Sequence, residues 1–157
     1  YREDQERIYP KALESVDVLC AVVLDVGCGS GMFFSQVANK AQTVVGVDIS
    51  RGLLNKAKQR LTENSHLVQA DADYLPFRDG TFNAIFAFTM IQNMPKPIKT
   101  LKEIKRVTVK DGKIIVTGLK KAFPNITFHD IIDASGMQTI VFSDDAELNC
   151  YIAVLSP

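Results

Sequence analysis

The chain has 157 residues, with 18 basic and 18 acidic side chains and 46% hydrophobic residues. That is the size of one domain with a full core, and the balance excludes a disordered or collagen-like chain and any overall charge pull toward polyanions. No apolar run approaches the roughly 18 residues of a membrane span and no basic-then-apolar leader opens the chain, so a cytoplasmic protein without membrane contact is expected.

Residues 1–16 are charged and read as an N-terminal helical segment inside a single domain covering 1–157; the chain opens on Tyr1 rather than Met, which leaves room for residues upstream. The first strand is "VVLDV" (22–26), and Phe33, Phe34, Val37, Ala38 and Ala41 then recur at helical spacing. "VVGVD" (44–48) is the second strand, and Ser50 is placed to cap a helix whose apolar stripe is Leu53, Leu54, Ala57 and Leu61. "HLVQA" (66–70) and "FNAIFAF" (82–88) are the third and fourth strands; a helix carrying Ile98, Leu101 and Ile104 leads to the fifth, "KIIVTG" (113–118). Thr127 with Asp130 resembles a capping box for a helix stopping near Gly136, and "QTIVFS" and "LNCYIAVL" read as a closing antiparallel pair. Mostly non-alternating, β-branched or aromatic runs are characteristic of parallel strands buried on both faces, and their alternation with helices predicts right-handed crossovers and a doubly wound α/β sheet.

"LDVGCGSGMFF" (24–34) sets Gly27, Gly29 and Gly31 at the carboxyl end of the first strand, where open α/β sheets bind ligands and where glycine lets a ligand approach the backbone. Asp48 closes the second strand, 21 residues after Gly27, in position to accept ribose hydroxyls; Asp71 closes the third, toward a base. The row suits an adenosine-containing ligand. A dinucleotide is disfavoured because Met32 or Phe34 stands where GxGxxG needs its third glycine, and no Gly-Lys-Ser/Thr of a P-loop follows.

Four stretches in register, Asp25-Val26-Gly27-Cys28-Gly29-Ser30-Gly31, Val47-Asp48-Ile49-Ser50, Asp71-Ala72-Asp73-Tyr74-Leu75-Pro76-Phe77 and Asp79-Gly80-Thr81-Phe82, resemble the class I S-adenosylmethionine-dependent methyltransferases of the DxGCGxG and DAexLPF group. The resemblance implies a Rossmann-like, doubly wound seven-stranded sheet, mostly parallel with an antiparallel last strand and helices on both faces, and S-adenosylmethionine as cofactor. It implies that Gly27, Cys28, Gly29 and Gly31 line the methionine part, that Asp25 holds the loop and the amino group, that Asp48 and Ile49 meet the ribose side, and that Asp71 and Ala72 take the adenine. Asn83 stands where many members have Asp, though its amide can still hydrogen-bond.

The segment Thr89-Met90-Ile91-Gln92-Asn93-Met94-Pro95, where substrate is met in the family, lacks the Asn-Pro-Pro-Tyr tetrapeptide of amino-group methylating members and the histidine pair of many small-molecule members. Thr89, Gln92 and Asn93 are the candidates there, Thr89 also bordering the cofactor; Gln92 and Asn93 either orient a substrate, cap the next helix or face water. Cys28 sits near a helix start that can lower a thiol pKa, but packing is the expected role. Cys20, Cys28 and Cys150 are scattered and only His66 and His129 accompany them, so neither a disulfide framework nor a metal site is expected.

Lys99, Lys102 and Arg106 form a helical stripe inside a basic stretch from Lys96 to Lys121, read as a solvated face or as a phosphate contact. With few residues ahead of the first strand and a short segment after the fifth, an open catalytic mouth is expected. A macromolecular acceptor, RNA or protein, follows from it, with a small activating subunit pairing at the "HLVQA" edge. The alternatives are a small-molecule acceptor, a cofactor-binding subunit without catalysis and, against the bulky Met32 and Phe34, a dinucleotide reductase.

Overall fold

The computed structural model describes the backbone of residues 2–157 and the side chains from Asp4 onward. Strands β1 (Val22–Val26), β2 (Thr43–Asp48), β3 (Ser65–Gln69), β4 (Phe82–Ala87) and β5 (Thr108–Leu119) pair in parallel in the order β3-β2-β1-β4-β5. β6 (Gln138–Ser143) and β7 (Cys150–Ser156) complete a seven-stranded sheet, with β7 inserted between β5 and β6 and antiparallel to both.

Successive side chains of a strand point to opposite faces, and this sheet buries both. Val23, Val44, Ala84, Phe86 and Ile115 meet α1 (Arg2–Glu14), α2 (Phe34–Val37) and α3 (Arg51–Ala57) through Ile8, Tyr9, Phe34 and Leu54. Leu24, Ile85 and Ile114 meet α4 (Pro97–Val107) and α5 (Asn125–Ala134) through Leu101, Ile104, Phe128 and Ile132. Fully burying each such side chain contributes about 1.5–3 kcal/mol, so the central strands are where the fold is held. Asn83 does supply a bond: its Oδ1 accepts from Val22 N at 2.8 Å, joining the starts of β1 and β4.

The expected N-terminal helix is α1; Tyr1 lies outside the described residues. Its Tyr9 ring stands 5.0 Å from Phe33 and 4.9 Å from Phe88. The Lys11–Asp145 ion pair and a 3.2 Å bond from Asn149 Nδ2 to Asp4 tie the helix to the connection between β6 and β7.

Three local expectations change. The Thr127–Asp130 capping box does not form: α5 starts at Asn125 behind Pro124, whose carbonyl accepts from Phe128 N, so both residues lie inside the helix. The apolar run after the glycine turn is helical only over Phe34–Val37, because the chain must turn back into β2 and Asn64 Nδ2 fastens that turn by donating to Ala38 O and Ala41 O. Ser50 caps α3, its Oγ accepting from Leu53 N, but the helix ends at Ala57 and tightens into a 3-10 turn, which leaves Leu61 exposed.

Candidate functional site

A cavity of about 660 Å³ opens at the carboxyl ends of β1, β2, β3 and β4, where the strand order switches direction between β1 and β4. The glycine turn, Asp48 and Ile49, Asp71 to Asp73, Phe88 to Met90 and Asn93 to Pro95 line it. Sequence reasoning missed two further contributors, Gln5 and Tyr9 of α1. They bring α1 to the side of the cavity, with Tyr9 packed between Phe33 and Phe88.

The turn is fixed from β2: Gly27 N and Cys28 N both donate to Val47 O, at 2.8 and 3.0 Å, and Gly29 N donates to Asp48 Oδ2 at 2.9 Å. Gly27, Gly29 and Gly31 all have positive φ, but they face different surroundings. A Cβ on Gly27 would meet Met90 at 3.0 Å and one on Gly31 would meet Phe34 at 3.1 Å, whereas one on Gly29 would meet nothing within 4 Å. Gly27 and Gly31 are therefore constrained by this chain's own packing as well as by backbone conformation. Gly29, a cavity-lining residue, is the one whose added side chain would enter open space.

Both oxygens of Asp48 are held by backbone, Oδ1 accepting from Ser50 N at 2.8 Å and Oδ2 from Gly29 N, so the carboxylate is fixed in the cavity wall with lone pairs to spare. Asp25 differs. It is 3% exposed, lines the cavity and receives no hydrogen bond from the described residues; burial first, and the Asp48 charge second, push its pKa up to about 8. Burial, Asp25 and Asp48 also drive the Cys28 thiol far up, so the turn does not activate it. Cys28 instead fills space, its Sγ standing 2.9 Å from where a Gly46 side chain would begin.

At the third strand end Asp71 Oδ1 accepts from Asp73 N at 2.9 Å, curling the chain so that Asp71, Ala72 and Asp73 border the cavity. The loop beyond is clamped by Arg106, which donates to Leu75 O and Phe77 O at 2.9 Å each and pairs with Glu103 at 2.8 Å and Asp79 at 2.7 Å. Those partners raise the Arg106 pKa, the Glu103 hydrogen bond most. Arg106 is thus a structural clamp and not a phosphate contact, and Lys99 lies 3.5 Å over the Tyr74 ring. The sequence marked Arg106 only as part of a basic stripe and not as a clamp, because the Leu75 and Phe77 carbonyls that it holds lie about 30 residues upstream.

On the acceptor side, Thr89 has φ +49°, an unusual conformation for a β-branched residue. Thr117 Oγ1 accepts from its N–H at 2.8 Å, and Gln92 Nε2 donates to its carbonyl. Gln92 is accordingly turned to the backbone and is not among the cavity-lining residues, while Thr89 and Asn93 are. Of the three candidates, the structure brings Thr89 and Asn93 to the cavity and gives Gln92 the task of holding Thr89. Among the described residues no group of His, Cys, Asp and Glu could hold a metal ion, and no helix is long and apolar enough to cross a membrane.

Residues 24–116 match the family described as "Methyltransferase domain". A demethylmenaquinone methyltransferase of Renibacterium salmoninarum is 36% identical over 105 residues, covering 64% of this chain and 44% of that protein. The chain spans 19% to 44% of the length of the first curated relatives that it matches. Among solved structures, a SAM dependent methyltransferase from Aquifex aeolicus superposes with TM-score 0.83 at 19% identity, covering 94% of this chain and 88% of that one. A methyltransferase of Haloferax volcanii, solved in complex with the Trm112 methyltransferase activator, gives TM-score 0.85 at 15% identity, covering 99% and 92%.

Proposed function

The chain belongs to the methyltransferase-domain family, and from that premise we propose that it binds S-adenosylmethionine in this cavity and transfers the methyl group to a small-molecule acceptor. The observation that carries the reading is Asp25: a buried carboxylate facing the cavity without a hydrogen-bond donor of its own is what the α-ammonium of a methionine moiety would complete. The other residues fit the same ligand. Gly29 leaves room for the aminocarboxypropyl chain, Asp48 is fixed to receive ribose hydroxyls with Ile49 beside it, and Asp71 with the Ala72 backbone borders the place for the adenine. When bound, the cofactor supplies a sulfonium methyl that a lone pair of the acceptor takes up, the C–S pair returning to sulfur to leave neutral S-adenosylhomocysteine and the acceptor's proton passing to water.

The chain's own part is orientation and exclusion of water, which can contribute much of the rate of an in-line displacement. Tyr9, Phe88 and Met90 border the cavity as a dry wall, and the clamped Thr89 with Asn93 offers polar atoms at its edge. Apart from the carboxylates of Asp25, Asp48, Asp71 and Asp73, no basic side chain lines it among the described residues.

Two observations favour a small acceptor over RNA or protein: Gln5 and Tyr9 of α1 add a wall to the cavity, and Arg106 and Lys99 are already engaged. The Renibacterium relative is likewise named for a small molecule. Calorimetry should show S-adenosylhomocysteine binding and no NADH binding, and tritiated methyl should enter the small-molecule pool of fractionated extract. Label confined to RNA or protein would return the macromolecular acceptor; binding with no label in any pool would point to a cofactor-binding subunit without catalysis.

For a partner, the place we propose is the β3 edge. Ser65–Gln69 pairs with β2 on one side only, so its other side is open to an added strand. The Haloferax structure is of a methyltransferase held by an activator. Co-expression with an activating subunit should then protect β3 amides from hydrogen exchange, and protection elsewhere would displace this placement.

A further inference from the structure

We propose that the acceptor half of the cavity takes an uncharged, largely apolar ring compound and turns away carboxylates and phosphates; this rests on the methyl-transfer reading and names its substrate class. The ionisable acids that line the cavity are Asp25, Asp48, Asp71 and Asp73, and among the described residues no Lys, Arg or His lines it. All four carboxylates stand on the cofactor side, at the ends of β1, β2 and β3. The remaining wall is made mainly by Tyr9, Met32, Phe88, Met90, Met94 and Pro95, with the uncharged polar Gln5, Thr89 and Asn93 beside them.

This wall is suited to the faces of a ring. Tyr9 and Phe88 are tilted at 57° with centroids 4.9 Å apart, a rigid aromatic corner, and Met32, Met90 and Met94 surround it with thioethers that adapt to the outline of an apolar ligand. An anionic acceptor would enter a site whose fixed charges among the described residues are all negative, with no guanidinium or ammonium of those residues to pair with. Of the three cations in the helical stripe nearby, Arg106 is held on the loop of Leu75 and Phe77, Lys99 lies over Tyr74, and Lys102 does not line the cavity. A cationic acceptor meets the opposite problem: the carboxylates that would attract it lie where the cofactor's ribose and ammonium belong, and the acceptor wall carries none.

The test uses a matched pair of probes, 2-naphthol and 2-naphthoate, which share a ring system and differ in charge at pH 7. Binding of each to the whole protein is measured by ligand-observed NMR with and without saturating S-adenosylhomocysteine. 2-Naphthol should bind at least tenfold more tightly than 2-naphthoate in both conditions. Met94→Lys, which places a cation on the partly exposed rim of the wall, should narrow or reverse that ratio, while Met94→Leu should keep it. Equal or tighter binding of 2-naphthoate by the parent protein, no binding of 2-naphthol, or an unchanged ratio in folded Met94→Lys would overturn the proposal. S-adenosylhomocysteine binding is read separately by calorimetry, so a failed cofactor reading shows there and is distinguishable from a failed acceptor class.

Discussion

Replacing Asp25 by Asn should make the ligand-free protein more stable in mild alkali and yet a poorer binder of its cofactor. Burial with the Asp48 charge nearby raises the Asp25 pKa from 3.8 to about 8. In the folded chain the proton is held more tightly than in the unfolded one, so between about pH 4 and pH 8 the unfolded state has released a proton that the folded state keeps. Stability of the ligand-free protein therefore falls as pH rises through that window. At 1.36 kcal/mol per unit the loss is at most about 6 kcal/mol, and relaxation of the site brings it to a few. Asn removes the slope. For binding the sign is opposite, since Asp25 must give up its proton before it can pair with an ammonium; cofactor affinity of the parent should rise as pH climbs toward about 8. The variant should bind more weakly by about 1.5–3 kcal/mol, the worth of a hydrogen bond to a charged group, with no such pH dependence. Thermal melts and calorimetry at pH 5, 6.5 and 8 measure both effects. A parent protein whose stability and affinity are flat across that range, or an Asn variant that binds as well at pH 8, would refute the account of Asp25 as an uncompensated buried acid.

Asp48→Ala should weaken S-adenosylhomocysteine binding by about 1.5–3 kcal/mol in calorimetry and also loosen the glycine turn, because Gly29 N and Ser50 N lose their acceptor. Gly29→Ala should cost only about 1–2 kcal/mol of stability, for its positive φ, while sharply reducing cofactor affinity; Gly46→Ala, whose Cβ would lie 2.4 Å from Phe34 Cζ, should instead unfold or severely destabilise the chain in a melt. Arg106→Ala should lower stability by about 2 kcal/mol by releasing the Leu75 and Phe77 carbonyls and the Glu103 carboxylate, and a filter-binding assay should show no specific loss of RNA affinity.

The sheet and the strand-end residues that line the cavity were legible because each is written locally. Buried parallel strands read as apolar runs, and Asp48 and Asp71 follow at strand ends where a ligand can be reached. The conformations at Gly27, Gly29 and Gly31 were also legible, but not that Gly27 and Gly31 face Met90 and Phe34 while Gly29 faces the cavity, since those neighbours come from distinct parts of the fold. Asn64, Glu103, Thr117 and the clamping role of Arg106 escaped for the same reason: each is an ordinary polar residue with a backbone partner 23 to 31 positions away. α1 was read as a charged helical segment, and its charge hid the narrow buried side that Ile8, Tyr9 and Ala12 give it. Thr127 and Asp130 show the converse hazard, a correct spacing with the wrong phase, because Pro124 had already set where α5 begins.

Because β7 lies between β5 and β6, the order in which the strands leave the ribosome is not the order in which they sit. When Gln138–Ser143 has been synthesised it has no strand to pair with, and the far side of β5 is bare until Cys150–Ser156 arrives to bond both at once. A nascent chain stalled before that point carries two unsatisfied edges rich in apolar residues, which is the state most exposed to association with its neighbours on a polysome. The closing of both edges thus waits on a single strand, a vulnerability that equilibrium measurements on the finished sheet would never register.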